Sequence, residues 1–293
     1  MNLPFSERNI TNYLLLILGV LCISWSAILV KIACISGFGS GFYRMLFGTI
    51  GILPIWYYFR KKIHGVRGIK VAIICGVLFA FDIATWNTSI MLSKASVSTL
   101  LANLAPVWVG LGGLLFFKEK PAKIFWIGTV VALTGVLIII GIHQISYAGM
   151  NTGNLLAIVA SIFYGTYLLT VRKGRNTLDT ISFTAISMFT STIVLGIICA
   201  ITSTPVWGFS TTTWISLLTL GLVPQLLGWL LINRALGHIH PTVASVTLLS
   251  QTVFTALFSV PVLGEILTLN EICGAIIVLT GIYLVNFKKL KKL

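Results

Sequence analysis

The sequence predicts an all-α integral membrane protein: ten transmembrane helices laid out as an inverted-topology 5+5 repeat, with both termini cytoplasmic. Three observations carry that prediction. Of 293 residues, 57% are apolar and only 9% are charged, whereas a soluble domain carries about 25% charged residues. The apolar residues fall into ten runs of roughly membrane-spanning length. A phrase near the end of the first half returns 146 residues later near the end of the second.

Too few charges are present to clothe a water-facing surface, so lipid is the expected solvent for most of the chain. The runs cover about 12–34, 39–59, 69–91, 96–117, 123–141, 151–172, 180–201, 213–235, 241–262 and 269–287. Each can cross a hydrocarbon core of roughly 30 Å. Backbone amides find no water there, so each run is expected to be a helix. A β-barrel needs segments of about ten residues with alternating polarity, and the sequence has none. The first run is too long for a removable leader and no small-x-small cleavage site with soluble sequence follows it, so it is read as a span. Cys22, Cys34, Cys75, Cys199 and Cys273 lie in or at the ends of runs. Their odd number and the absence of CxxC spacing make them packing residues rather than disulfides or metal ligands.

The net charge of +14 could suggest nucleic acid, but its placement argues for a bilayer and against that partner. With ten spans both termini share a side. On that side fall Arg8, the 60–70 loop, Lys118, Lys120, Lys123, Arg172, Lys173, Arg175, Arg234 and the terminal lysines, 17 of the 20 basic residues. This is the positive-inside pattern and predicts cytoplasmic termini. The terminal KKLKK is suited to anionic headgroups. Lys94 belongs to the other side, with Lys31 and Arg44 near it inside helix ends.

The repeated phrase reads EKPAKIFWIGTVVALTGVLII from Glu119 and EILTLNEICGAIIVLTGIYLV from Glu265, with five identical positions. Gly128 pairs with Gly274 and Gly135 with Gly281. Upstream, Asn87 pairs with Asn233. Residues 1–145 therefore form one five-helix repeat and 146–293 a second, within a single membrane domain. Five is odd, so the second copy enters the membrane from the opposite side. Inverted repeats are typical of secondary transporters, because two equivalent halves of opposite orientation yield an outward-open and an inward-open shape. The alternative is a duplicated bundle without a transport role. The glycines, seven apart on one helix face, suit close helix packing or a dimer face, since small residues let backbones approach in lipid. Either a monomer or a homodimer is compatible with this.

Four stretches resemble a known family: "SWSAILVKIA" in the first helix, "RMLFGTIGILPI" in the second, "TLLANLAPVWVGLGGLLFFKEK" in the fourth and "TLLSQTVFTALFSVPVLGEIL" in the ninth. Together they are similar to the drug/metabolite transporter superfamily, EamA-type branch. The resemblance implies a basket of ten helices around a central cavity that moves small molecules without ATP. One departure is visible. Pro106 aligns with Thr252, and the second half has Pro261 instead, so the bend of the ninth helix is expected to be displaced.

No GxxxxGK[ST] loop exists, and no HExxH, GxSxG or paired-carboxylate motif appears, so neither ATP hydrolysis nor another enzymatic activity is expected. His64, His143, His238 and His240 lie near helix ends and are read as interfacial. No cofactor and no metal is expected. The substrate cavity should lie near mid-membrane between the halves. Counting inward from the helix ends places Trp25, Asp82, Asn103, Tyr164, Gln225 and Gln251 there, with Trp86 and Trp229 one turn beyond. Asp82 and Trp86 share a helix face, as do Gln225 and Trp229. Aromatic rings offer flat apolar area with a polar handle, and amides can hold the carboxylate or amine of an amino acid. The competing reading is that the aromatics only fill helix contacts. Asp82 is the only acid expected deep in the membrane, and such a charge is a functional hypothesis by default. It either couples a proton or a cationic substrate group to transport, or forms a static pair with Lys31 or Arg44. Glu119 and Glu265, at helix ends on opposite faces, are read as caps or gate-side contacts.

The expected function is secondary transport of a small metabolite across the cytoplasmic (inner) membrane by alternating access, with amino-acid or metabolite export first. Uptake of a nucleotide-like metabolite, drug efflux, or a non-transporting assembly partner or channel are the alternatives.

Overall fold

The computed structural model describes residues 5–59, 66–93, 95–116, 118–141, 151–263 and 266–290. These are almost wholly helical, with no strand among the described residues. Lys94, Glu265, His64, His143 and residues 60–62 lie outside them. The helices are α1 Phe5–Ser24, α2 Ser26–Ala33, α3 Gly37–Phe59, α4 Val66–Leu92, α5 Ala95–Ala102, α6 Ala105–Phe116, α7 Lys123–Ile140, α8 Thr152–Arg175, α9 Thr180–Ile201 and α10 Thr211–Leu220. They continue as a π-helical segment Gly221–Gly228, then α11 Trp229–Leu236, α12 Pro241–Leu248, α13 Ser250–Leu263 and α14 Leu269–Leu290. Among the described residues, nine stretches are long and apolar enough to cross a membrane. The tenth run, α3, is 23 residues long, but its glycines, tyrosines and Arg44 dilute its apolar content.

Four runs are interrupted, each for a local reason. Pro106 has no N–H and its ring crowds the carbonyl four residues back; that residue is Ala102, where α5 ends. Pro224 has the same effect on Leu220, the last residue of α10, and the backbone widens into the π segment beyond it. The α1–α2 break at Trp25 has no proline. Its exposed carbonyls are taken up from α13: Gln251 Nε2 donates to Ile23 O at 3.4 Å and Thr255 Oγ1 to Ser24 O at 2.8 Å. The ninth run breaks at Leu249, 146 residues after the Asn103 break. The bend expected at Pro261 is therefore not displaced; Pro261 rides in the last turn of α13, near enough to the helix end to cost little.

Consecutive spans alternate in direction, so the bundle has two ends. One end gathers 33–40, 87–93, 153–154 and 204–213: Asn87 Nδ2 donates to Gly37 O at 2.6 Å, Ser93 Oγ to Asn154 Oδ1 at 2.5 Å, and Thr213 Oγ1 to Ala33 O at 3.1 Å. The other end, which carries Arg67, the lysines around Glu119, and Arg172 to Arg175, is the basic end. There Arg172 and His240 both reach Glu119, and Thr177 and Leu178 abut Gly68.

Helices α7 and α14 form the closest seam. A Cβ on Gly135 would stand 2.6 Å from Gly274 O, and one on Gly274 2.7 Å from Gly135 O. Only residues without side-chain atoms let two backbones approach this way in lipid. Asn87 and Asn233 occupy matching places. Asn87 ties α4 to the start of α3, and Asn233 Nδ2 ties α11 to the start of α9 through Thr184 Oγ1 at 3.2 Å.

Candidate functional site

A cavity of about 470 Å³ opens between the helices, within the range of about 300–1,000 Å³ usual for small-molecule sites. Its walls come from both halves of the chain. Asp82 and Trp86 of α4 line it, four residues apart on one helical face, with Arg44 of α3 and Tyr164 of α8. Asn103, at the α5–α6 break, Gln251 of α13 and Trp229 of α11 complete the polar and aromatic lining.

Among the described residues, the cavity lining reaches toward one end of the bundle. Exposed Lys31 and half-buried Glu271 line it, and both lie at the end away from the basic loops, as do Ile139 and Ile140. Toward the basic end it is floored by packed rings. Phe79 meets Trp229 edge-on with centroids 4.6 Å apart, and Tyr167 and Tyr164 meet Trp229 at 5.4 and 6.0 Å. Phe79, Tyr167 and Trp229 are buried. Below the rings, Tyr167 OH donates to Asn233 Oδ1 at 3.0 Å and Arg175 Nε to Asn233 O at 3.2 Å. Glu119 then holds His240 at 2.9 Å and Arg172 at 3.5 Å. Rings, asparagine and ion pair thus shut the basic end in three successive layers.

Two expected residues stand elsewhere. Trp25 stacks on Phe258 with centroids 4.9 Å apart and planes at 19°; the break beneath it turns the ring onto α13, away from the lining. Gln225 is 1% exposed and lies behind the cavity wall, where its Oε1 accepts from Arg44 Nε at 2.7 Å. The π segment sends Gln225 toward α3 and Trp229 toward the cavity, so the two do not share a surface as an α-helix would have them.

Asp82, Arg44 and Tyr164 line the cavity together. No ion pair joins Asp82 to Arg44 or Lys31 among the described residues. The indole N–H groups of Trp86 and Trp229 are buried with no acceptor among the described residues. Both line the cavity. The site thus offers a cation, an anion, two unused indole donors, amides and flat apolar rings, a set suited to a small molecule with both polar and apolar parts.

Several lining residues were not among those expected. Thr252, Thr255, Ala256 and Ser259 of α13 recur at helical spacing along one face. That hydroxyl stripe was a readable signal. Phe79 and Glu271 gave none. Glu271 also caps α14: its Oε2 accepts from Thr268 N at 2.7 Å, while Thr268 Oγ1 accepts from Glu271 N at 3.3 Å, a reciprocal capping box. Among the described residues, no cluster of three metal-ligating side chains exists.

A model of the EamA-like transporter family matches residues 10–141 and again residues 151–287. The chain is 22% identical over 242 residues to "Uncharacterized transporter YdfC" of Bacillus subtilis, covering 82% of this chain and 78% of that protein. It is 24% identical over 220 residues to the pseudopaline exporter CntI of Pseudomonas aeruginosa, covering 73% and 74%. It is 21% identical over 255 residues to the S-adenosylmethionine uptake transporter of Rickettsia bellii, covering 87% and 85%. A solved crystal structure aligns with a TM-score of 0.79 at 15% identity, over 96% of this chain and 98% of that one, a likeness of fold alone. Two successive matches to one family model, spread over membrane-length helices that wall a cavity, identify the chain as a multi-pass membrane protein that belongs to the EamA-like transporter family.

Proposed function

We propose that the chain is a secondary transporter that exports a small zwitterionic or amphipathic metabolite, an amino acid or a derivative of one, across the cytoplasmic membrane by alternating access. The observation that carries this reading is the cavity itself: chemically mixed, walled by both halves of the chain, open toward one end and floored by rings toward the other. A channel needs a polar path through both ends, and the packed floor argues against one.

We read residues 1–145 and 146–293 as two inverted copies whose rocking exposes the cavity alternately. The double family match supports two copies. The matched breaks at Asn103 and Leu249, the matched roles of Asn87 and Asn233, and the reciprocal glycine seam support their equivalence. The basic end is read as cytoplasmic from its lysines and arginines, which makes the described state outward-open. Asp82 is the candidate coupling residue, because it faces the cavity without a protein partner that would hold its charge fixed.

The relatives differ in direction and substrate, one an exporter and one an uptake system, so both are decided by measurement. The test is reconstitution in liposomes and a screen of labelled amino acids and nucleotides, with either orientation of the solute gradient and with or without a pH gradient. Failure to move any of them, in either direction, would refute the transport reading.

A further inference from the structure

We propose that Arg44 is the anchor for a carboxylate on the transported molecule, and that Gln225 is the positioning residue that presents it. The inference deepens the transport reading and rests on it. Arg44 is 7% exposed, yet it lines the cavity. An arginine at this depth is expensive unless it is paired or put to use. Among the described residues its one side-chain bond runs from Nε to Gln225 Oε1 at 2.7 Å, a neutral partner that is not itself part of the cavity lining. No carboxylate lies within ion-pair distance of it among the described residues. Neither Nη group has a hydrogen-bond partner among the described residues, and Arg44 lines the cavity. A guanidinium clamped at Nε keeps the flat two-pronged edge that fits a carboxylate with two parallel hydrogen bonds.

The surrounding fold is shaped to hold this pair. Pro224 opens the π segment that swings Gln225 toward α3. Gly48 and Gly221 let the two helices close on it: a Cβ on Gly48 would lie 2.9 Å from Gln225 Cγ, and one on Gly221 3.2 Å from Arg44 O. Asp82 lines the same cavity as Arg44. A molecule bearing a cation beside its carboxylate satisfies both residues.

The test uses the full chain in proteoliposomes. Labelled amino acids are taken up against unlabelled competitors, each acid compared with its own carboxamide. The amide keeps the amine and the side chain and loses only the anion. We expect the amide to compete at least about ten-fold more weakly on the wild type, the penalty of leaving a charged donor unpaired. Arg44→Lys should abolish most of that preference. Gln225→Met, of similar length but without an acceptor, should raise KM for the acid several-fold with little change in Vmax or in the KM of the amide. Gln225→Glu, which restores an acceptor, should bring KM back to within about three-fold. Equal competition by acid and amide on the wild type overturns the anchor without any variant. Unchanged preference in Arg44→Lys and Gln225→Met overturns it too, and both results leave transport standing. A wild type that moves no amino acid overturns the substrate class and the anchor together.

Discussion

Gly128 on α7 and Gly281 on α14 lie face to face: a Cβ on Gly128 would come to 2.7 Å from Gly281 O, and one on Gly281 to 2.6 Å from Gly128 O. Real side-chain atoms do not approach backbone that closely, so Gly128→Ala or Gly281→Ala forces the helices apart. A loss of about 1–3 kcal/mol is expected, the range for overpacking. Gly113→Ala is the control, because a Cβ there meets nothing within 4 Å. It should be neutral, or stabilising by up to about 1 kcal/mol through helix propensity. Denaturation of the three variants in mixed micelles decides the matter; equal midpoints would mean that the seam is not close.

The contact of Glu119 with His240 and Arg172 is half open to water, with side chains 27–42% exposed. Such pairs add about 1 kcal/mol or less to stability. Their effect is expected in the opening of the basic end. Glu119→Gln should speed the opening of that end. Labelling of a cysteine introduced at Asn233 reads the opening, and an unchanged labelling rate would refute the latch.

Asp82→Asn preserves shape and breaks no ion pair among the described residues, so the chain should fold, with a weaker hold on the cationic group of the substrate. If Asp82 carries the coupling proton, transport by this variant loses its response to a pH gradient. An Asp82→Asn protein whose transport still follows the gradient would remove the carboxyl from the coupling scheme.

Trp229 separates two roles, a ring in the floor and an unpartnered N–H in the cavity. Trp229→Ala should cost about 3–5 kcal/mol and make the liposomes leak, as a large buried ring is lost. Trp229→Phe keeps the ring contact and should cost under about 1.5 kcal/mol, while weakening substrate binding if the N–H bonds the solute. Equal KM values for wild type and Trp229→Phe would assign the indole to packing alone.

Much of this is legible in the sequence. Run length located the spans, and counting inward from the helix ends found Asp82, Trp86, Asn103, Tyr164, Trp229 and Gln251, all of which line the cavity. The count failed where the helix itself is irregular. Trp25 sits on a break that no proline announces, and Gln225 lies in a π segment whose extra width redirects its side chain. The expected bend at Pro261 came from reading proline as the sole cause of a break. Leu249 breaks without one, in a tract rich in serine and threonine, residues whose side chains compete for backbone partners. Glu271 was legible as a cap, three residues after Thr268, but its place at the cavity mouth depends on how α14 is tilted, and no local pattern encodes that.

The interruptions at Asn103 and Leu249 divide two membrane crossings into short stiff rods, and among the described residues Asn103 Nδ2 reaches across to Thr252 Oγ1 at 3.2 Å. A neutral bond of that kind is worth about 1 kcal/mol net. Its rupture is a small toll beside the several kcal/mol that bending an intact rod would demand, so these two joints are where the crossings yield at least cost.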